Sequence, residues 1–252
     1  EHSYRVGLVG IALAAMEGAD PGRTAALCLM HDVHETRIGD VRGDVGQLIY
    51  QGYDINELAG QVCFEEVVHL LWHGRLPNRG ELDRVKTAPR AERELPQGVI
   101  NFIKTAPKDA APVDIMRTVV SMLGCYQTTR HEVDMPENHQ IAIKLVSQIG
   151  IIAAYFHRAR QGKDLPPVRR DLSEAAHFLY LMNGEEPTKE AEATLDIAYV
   201  LHAEHGLNAS TFTGRVIAGT GSDMYSCIAG AIGALRGPKH GGANEVAFEV
   251  QK

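Results

Sequence analysis

What this sequence has little of narrows it first. Its four cysteines, Cys28, Cys63, Cys125 and Cys227, stand far apart with no C-x-x-C pair. That pattern fits a reducing compartment better than a disulfide framework, and we read the chain as cytoplasmic. Positive charge is in deficit, 25 Lys and Arg against 32 Asp and Glu for a net charge of -7. The deficit argues against nucleic acid or an anionic membrane as the main partner, since either would call for a basic patch. No apolar run approaches the roughly 18 residues of a membrane span, and no signal peptide is legible. Repeats of solenoid spacing and low-complexity tracts are absent. Past a short stretch near residue 50, strand signals are nearly absent too. With 44% hydrophobic and 23% charged residues, there is apolar material for one or two cores, and the expectation is an all-α globular chain. The sequence opens on Glu1 rather than Met and stops at Gln251-Lys252 inside a helical pattern, so both ends look cut.

Residues 233–245 read GALRGPKHGGANE and set His240 among glycines and a proline. Gly237, Gly241 and Gly242 allow a tight turn and close approach of a ligand to the main chain, while Pro238 stops the preceding helix. The imidazole of His240 is expected to be exposed and aimed. A helix start after Ala243 would point free N–H groups back towards it, an environment for an anion or a polarised carbonyl. The plain alternative is a Gly-Pro loop with an incidental histidine.

Towards the N-terminus, residues 1–40 give two amphipathic helices, with Asp20-Pro21 as the start signal of the second. Paired antiparallel, they would bring His2 beside His31 and Asp32. Three such ligands suit a borderline divalent metal but are too few for a closed site, and solvated polar residues are the alternative. At 39–45 the text reads GDV-R-GDV, a near-duplication, and the register changes.

LIYQGYDI at 48–55 alternates like a short strand or hairpin. Helical periodicity then runs from Asn56 to His73 and ends at Gly74 and Pro77. Further helices are expected at 80–93, 97–105, 112–126, 137–161 and 172–182, then from Thr188 to about His205-Gly206. On that last helix His202 and His205 would share a face. A metal reading of His-Ala-Glu-His is weak, because the general-base glutamate arrangement of metalloprotease helices is lacking. The stretch 208–235 is rich in Gly, Ala, Ser and Thr, which suits a close-packed helix in a core or at a subunit interface more than a cofactor site.

Two resemblances follow from these residues. EHS at 1–3, HDVHE at 31–35 and IGD at 38–40 resemble HD-domain metal-dependent phosphohydrolases of the nucleotidase type. The resemblance implies a helical hairpin with His2, His31 and Asp32 on a divalent metal and Glu35 and Asp40 in catalysis. From 43 to 252, the runs LIYQGYDINELA, FEEVVHLLWHGRLP, VDIMRTVVSMLGC, LHAEHGLNASTFTGRVIAGTGSDMYS and GAIGALRGPKHGGANE resemble citrate synthases, and RVIAGTGSDMYS with LRGPKHGGANEV is most similar to the 2-methylcitrate branch. This implies an incomplete all-α citrate synthase large-domain fold at 43–252, preceded by an HD-like fragment at 1–42. It further implies condensation of oxaloacetate with propionyl-CoA or acetyl-CoA in a homodimer paired through small-residue helices. No cofactor is implied, because acyl-CoA is a substrate. By this resemblance His240 donates a hydrogen bond to the thioester oxygen as a neutral imidazole, and His205, with His202 and Asn208, binds oxaloacetate.

The family's second catalytic histidine, its catalytic Asp and its carboxylate-binding arginines match nothing here, so a polypeptide of these 252 residues alone is expected to be inactive as a synthase. Two other accounts stand beside this one. One is an HD phosphohydrolase completed by later helices, for which no matching segment is found. The other is a natural fusion with the hairpin as a regulatory module, against which the GDV-R-GDV seam weighs as the mark of an artificial join.

Overall fold

The computed structural model describes residues 48–127, 135–204, 206, 208–238, 240 and 241. The seam at 39–45 and the HD-like residues lie outside them. Within the described residues the chain is helical apart from one two-stranded hairpin, β1 (Ile49–Tyr50) and β2 (Tyr53–Asp54), with Tyr50 opposite Tyr53. Gln51 and Gly52 both take positive φ, 49° and 93°, the turn whose twist matches a two-residue hairpin.

Ten helices follow among the described residues: α1 (Ile55–Leu58), α2 (Phe64–His73), α3 (Arg79–Ala91), α4 (Gln97–Thr105), α5 (Pro112–Cys125), α6 (Met135–Arg160), α7 (Glu174–Asn183), α8 (Lys189–Leu201), α9 (Ala209–Ala218) and α10 (Met224–Leu235). Most begin on a side-chain cap that the sequence spells out. Asp54, Asn78, Ser173, Thr188, Asn208 and Asp223 each accept a hydrogen bond from a first-turn N–H, satisfying one of the orphan donors there. Three expectations are corrected. The helix over Asn56–His73 is broken into α1 and α2, with Gly60 at φ 75° between them. The helix from Thr188 ends at Leu201 rather than near His205, with His202 at its C-cap; the shared face expected for His202 and His205 falls on His205, outside the described residues. The small-residue stretch is two helices, α9 and α10, divided at Gly221 (φ 76°) and restarted by the Asp223 cap.

The main core is built around α6. Ile151, Ile152, Ala154 and Phe156 are essentially inaccessible, and α4, α5, α7, α8 and α10 supply the surrounding apolar side chains. This helix is long and apolar enough by length and composition to cross a membrane, yet most of its apolar stretch is buried inside the fold, as expected of a core helix apolar on all sides. A smaller apolar cluster of Tyr50, Leu58, Val67, Leu70 and Val200 ties the hairpin to α2 and to the end of α8.

Polar groups are buried as well. Arg93, wholly inaccessible after α3, donates to the carbonyls of Arg169 and Leu172 (3.0 Å for Leu172) and to Glu174 Oε1 at 2.6 Å. Burial pushes three core histidines well below their ordinary value of 6.5, His157 and His202 to about 4 and His177 to about 3. Each is neutral when folded but takes up a proton when unfolded, so stability held above pH 6.5 is lost as pH falls towards 4. The slope is up to about 1.4 kcal/mol per pH unit for each ring. Asp196, raised by burial to about 6, works in the opposite sense between its ordinary value of 3.8 and 6 and offsets part of this. Urea unfolding at pH 7.5 and 5.0 should therefore show a clear loss of stability on the acid side; equal stabilities would contradict it.

Candidate active site

Helix α9 opens on Asn208, whose Oδ1 accepts from the Thr211 N–H at 2.9 Å. This cap sets Ser210 in the first turn, fully buried. Helix α10 packs back along α9 in the opposite direction, and small residues make the approach possible. A Cβ on Gly230 would lie 2.3 Å from Ile217 Cδ1, and one on Gly214 would sit 3.4 Å from the Cys227 carbonyl. The small residues expected to permit close packing thus do so between these two helices.

After Leu235 the chain folds back on itself. Gly237 N–H donates to Ala234 O at 3.2 Å, His240 N–H to Gly237 O at 3.0 Å and Gly241 N–H to Leu235 O at 3.0 Å. A side chain on Gly241 would put its Cβ 2.1 Å from Leu235 O and 3.0 Å from Leu235 C. The neighbour is backbone and cannot swing aside, so the turn demands glycine. Its effect is to lay the His240 ring over the start of α9, where Nε2 lies 2.8 Å from Ser210 Oγ.

His240 is therefore not the exposed, lone imidazole expected from its glycine-rich surroundings: it is only 7% accessible and is seated on a buried hydroxyl 30 residues earlier. Ser210 escaped the sequence reading; its one signal is a position two residues past the Asn208 cap, within a segment already assigned to substrate. The contact couples two hydrogen-bonding choices. If the serine hydroxyl donates to Nε2, the ring carries its proton on Nδ1.

His202 occupies the residue after α8, 4% accessible, with Nδ1–H donating to Ala198 O at 2.5 Å. That bond fixes Nε2 as its acceptor nitrogen. Asn208 is buried, with its side-chain oxygen committed to the cap. His205, Gly242 and the segment after Ala243 lie outside the described residues. So do His2, His31, Asp32, Glu35 and Asp40, the residues expected to hold a divalent metal and act in the HD-like segment. Among the described residues no three His, Cys, Asp or Glu side chains converge as a metal site.

Comparison with known proteins gives this arrangement its context. The family model described as citrate synthase, C-terminal domain, matches residues 30–252. An HD domain model matches residues 1–52, so the two overlap and do not locate the join expected at 42/43. The chain is 43% identical over 228 residues to a citrate synthase of Haloferax volcanii, covering 87% of this chain and 59% of that protein. It is 42% identical over 217 residues to a 2-methylcitrate synthase of Shewanella oneidensis, covering 86% and 57%. Among solved structures it resembles the citrate synthase of Pyrobaculum aerophilum, with TM-score 0.76 and 39% identity over 82% of this chain and 54% of that one. It also resembles the Thermoplasma acidophilum citrate synthase solved with carboxymethyl coenzyme A and oxaloacetate, with TM-score 0.75 and 28% identity over 84% and 58%. The chain thus spans under three fifths of the curated relatives it matches. By its sequence and by its all-helical fold, this chain belongs to the citrate synthase family.

Proposed function

We propose that this chain carries part of the site of a synthase that condenses oxaloacetate with an acyl-CoA, propionyl-CoA before acetyl-CoA, giving 2-methylcitrate or citrate and free CoA. The observation that carries the reading is the buried Ser210–His240 pair at the close of α10. Citrate and 2-methylcitrate synthases both occur among the relatives; the propionyl preference rests on the RVIAGTGSDMYS and LRGPKHGGANEV runs.

The chemistry begins with breaking a weakly acidic C–H bond next to the thioester carbonyl. The electron pair moves onto the carbonyl oxygen, and a donor already aimed at that oxygen lowers the barrier because no solvent has to reorganise. In this reading His240 is that donor, through Nδ1–H, while Ser210 holds Nε2. The enolate carbon then attacks the keto carbon of oxaloacetate, and water cleaves the thioester to release the thiol. His205, His202 and Asn208 are assigned to oxaloacetate. Proton removal is assigned to a group in the part of the relatives' length outside the match. Acyl-CoA is a substrate, so the reading calls for no resident cofactor; a divalent metal is reserved for the HD-like segment.

Two further assignments accompany it. Phe212 and Val216, one turn apart on α9, are 57% and 54% exposed. Apolar side chains in that position support self-association as a homodimer through α9. Cys63, Cys125 and Cys227 are free thiols, which supports a reducing, cytoplasmic setting.

The test supplies the missing length. Joined to the portion of the Shewanella oneidensis 2-methylcitrate synthase beyond the match, this chain should release CoA in the presence of oxaloacetate, with a higher kcat/KM for propionyl-CoA than for acetyl-CoA. A well-folded joined protein without thiol release would sink the reading, and an acetyl preference would move the assignment to citrate.

A further inference from the structure

The residues assigned to oxaloacetate follow α8, and the backbone leaving α8 is held from a distant part of the chain. Tyr50, in β1, is wholly buried, and its hydroxyl donates to Leu201 O at 3.1 Å while accepting from the Glu204 N–H at 3.4 Å. One side-chain oxygen thus closes the two ends of the turn that contains His202, from 151 residues away in sequence. Helix C-termini leave carbonyls without intrahelical partners and fray readily, and here one of those carbonyls is capped by a phenol. The ring that carries the hydroxyl is anchored in the small cluster with Leu58, Val67, Leu70 and Val200, apart from the main core around α6.

The hairpin gives the phenol little freedom. Tyr50 pairs with Tyr53 across the two-residue turn, and Ile55 N–H donates to Leu48 O at 2.9 Å just outside it. Capping of α1 by Asp54, with Glu57 returning to the Asp54 N–H at 3.0 Å, fixes the exit. The hairpin is thus tied at both ends, and its hydroxyl meets the turn that follows α8 at His202–Glu204.

We propose that Tyr50 is a positioning residue: its hydroxyl fixes the 201–204 turn and through it the orientation of His202. The inference rests on the synthase reading for what that histidine binds, but the fastening itself belongs to this chain and can be measured on it.

Tyr50→Phe removes only the oxygen and leaves the ring in its cluster. In the full 252-residue chain, amide exchange at 203 and 204 should quicken about tenfold, while exchange in α5 and α6 stays as in the parent. The ring ¹⁵N signals of His202 should shift, and its titration should move from about 4 towards 6.5, while His157 and His177 keep theirs. A general loosening of the fold would disturb the other buried histidines too. Unchanged exchange at 203–204 together with unchanged His202 signals would overturn the proposal, even if the joined synthase were active; an inactive joined synthase with the Tyr50 effects present would overturn the substrate reading alone. Should the variant not fold, the parent decides: the Glu204 amide must exchange well below the rate of an open turn, and an unprotected amide would refute the fastening.

Discussion

Arg93→Ala should cost the fold about 3–5 kcal/mol, the penalty for leaving one member of a buried ion pair alone. The guanidinium is inaccessible and makes its contacts inward: Glu174 Oε1 at 2.6 Å, Leu172 O at 3.0 Å and the Arg169 carbonyl. Truncation strands the Glu174 carboxylate, itself buried, and removes the donor for two carbonyls that close the loop into α7. The exposed pairs around it, such as Arg169 with Asp171 and Glu186, cannot compensate, because ion pairs in water contribute at most about 1 kcal/mol. Urea denaturation measures the loss. Replacing both partners by apolar residues of similar size, Arg93→Met with Glu174→Leu, should recover the part due to the stranded carboxylate, leaving the Arg169 and Leu172 carbonyls without their donor. A loss below about 1 kcal/mol for Arg93→Ala would show that the pair is not a structural bond.

The second large effect falls on chemistry. In the joined synthase, His240→Ala should lower turnover by roughly 10²–10³, about 3–4 kcal/mol of transition-state stabilisation, the usual consequence of deleting one preorganised donor to a developing oxyanion. Affinity for oxaloacetate should change far less, because the ring is assigned to the thioester. The magnitude depends on the ring being fixed beforehand, and the structure provides for that twice. Gly241 lets the turn close against the Leu235 carbonyl, and Ser210 holds Nε2.

The sequence made some of this legible and hid the rest for identifiable reasons. Helix α4 occupies Gln97–Thr105 as its periodicity predicts, bracketed by Pro96 and Pro107, residues that interrupt helices unambiguously. The hairpin was legible in its alternation, and the stop at Gly74 in its αL-compatible glycine. The break between α1 and α2 was not, because Leu58, Val62 and Phe64 keep apolar residues coming across it and periodicity cannot see a local reversal. The end of α8 was misplaced because no glycine or proline intervenes before Gly206; the helix stops at Leu201 where a tertiary contact, the Tyr50 hydroxyl, takes its terminal carbonyl. Arg93 reads as one more charged residue in an Arg-Ala-Glu-Arg-Glu run, and only a partner 81 positions later marks it as buried. At the site, the glycine and proline spacing singled out His240, but not the serine that seats it.

The role of His240 as oxygen-side donor in an acyl-CoA condensation is decided by thiol release from propionyl-CoA and oxaloacetate, measured side by side for the joined synthase and its His240→Ala variant, with both proteins shown to be folded. The expected result is release by the parent and a rate lower by roughly 10²–10³ in the variant; equal rates in the two proteins, or a folded parent that releases no CoA, would contradict it.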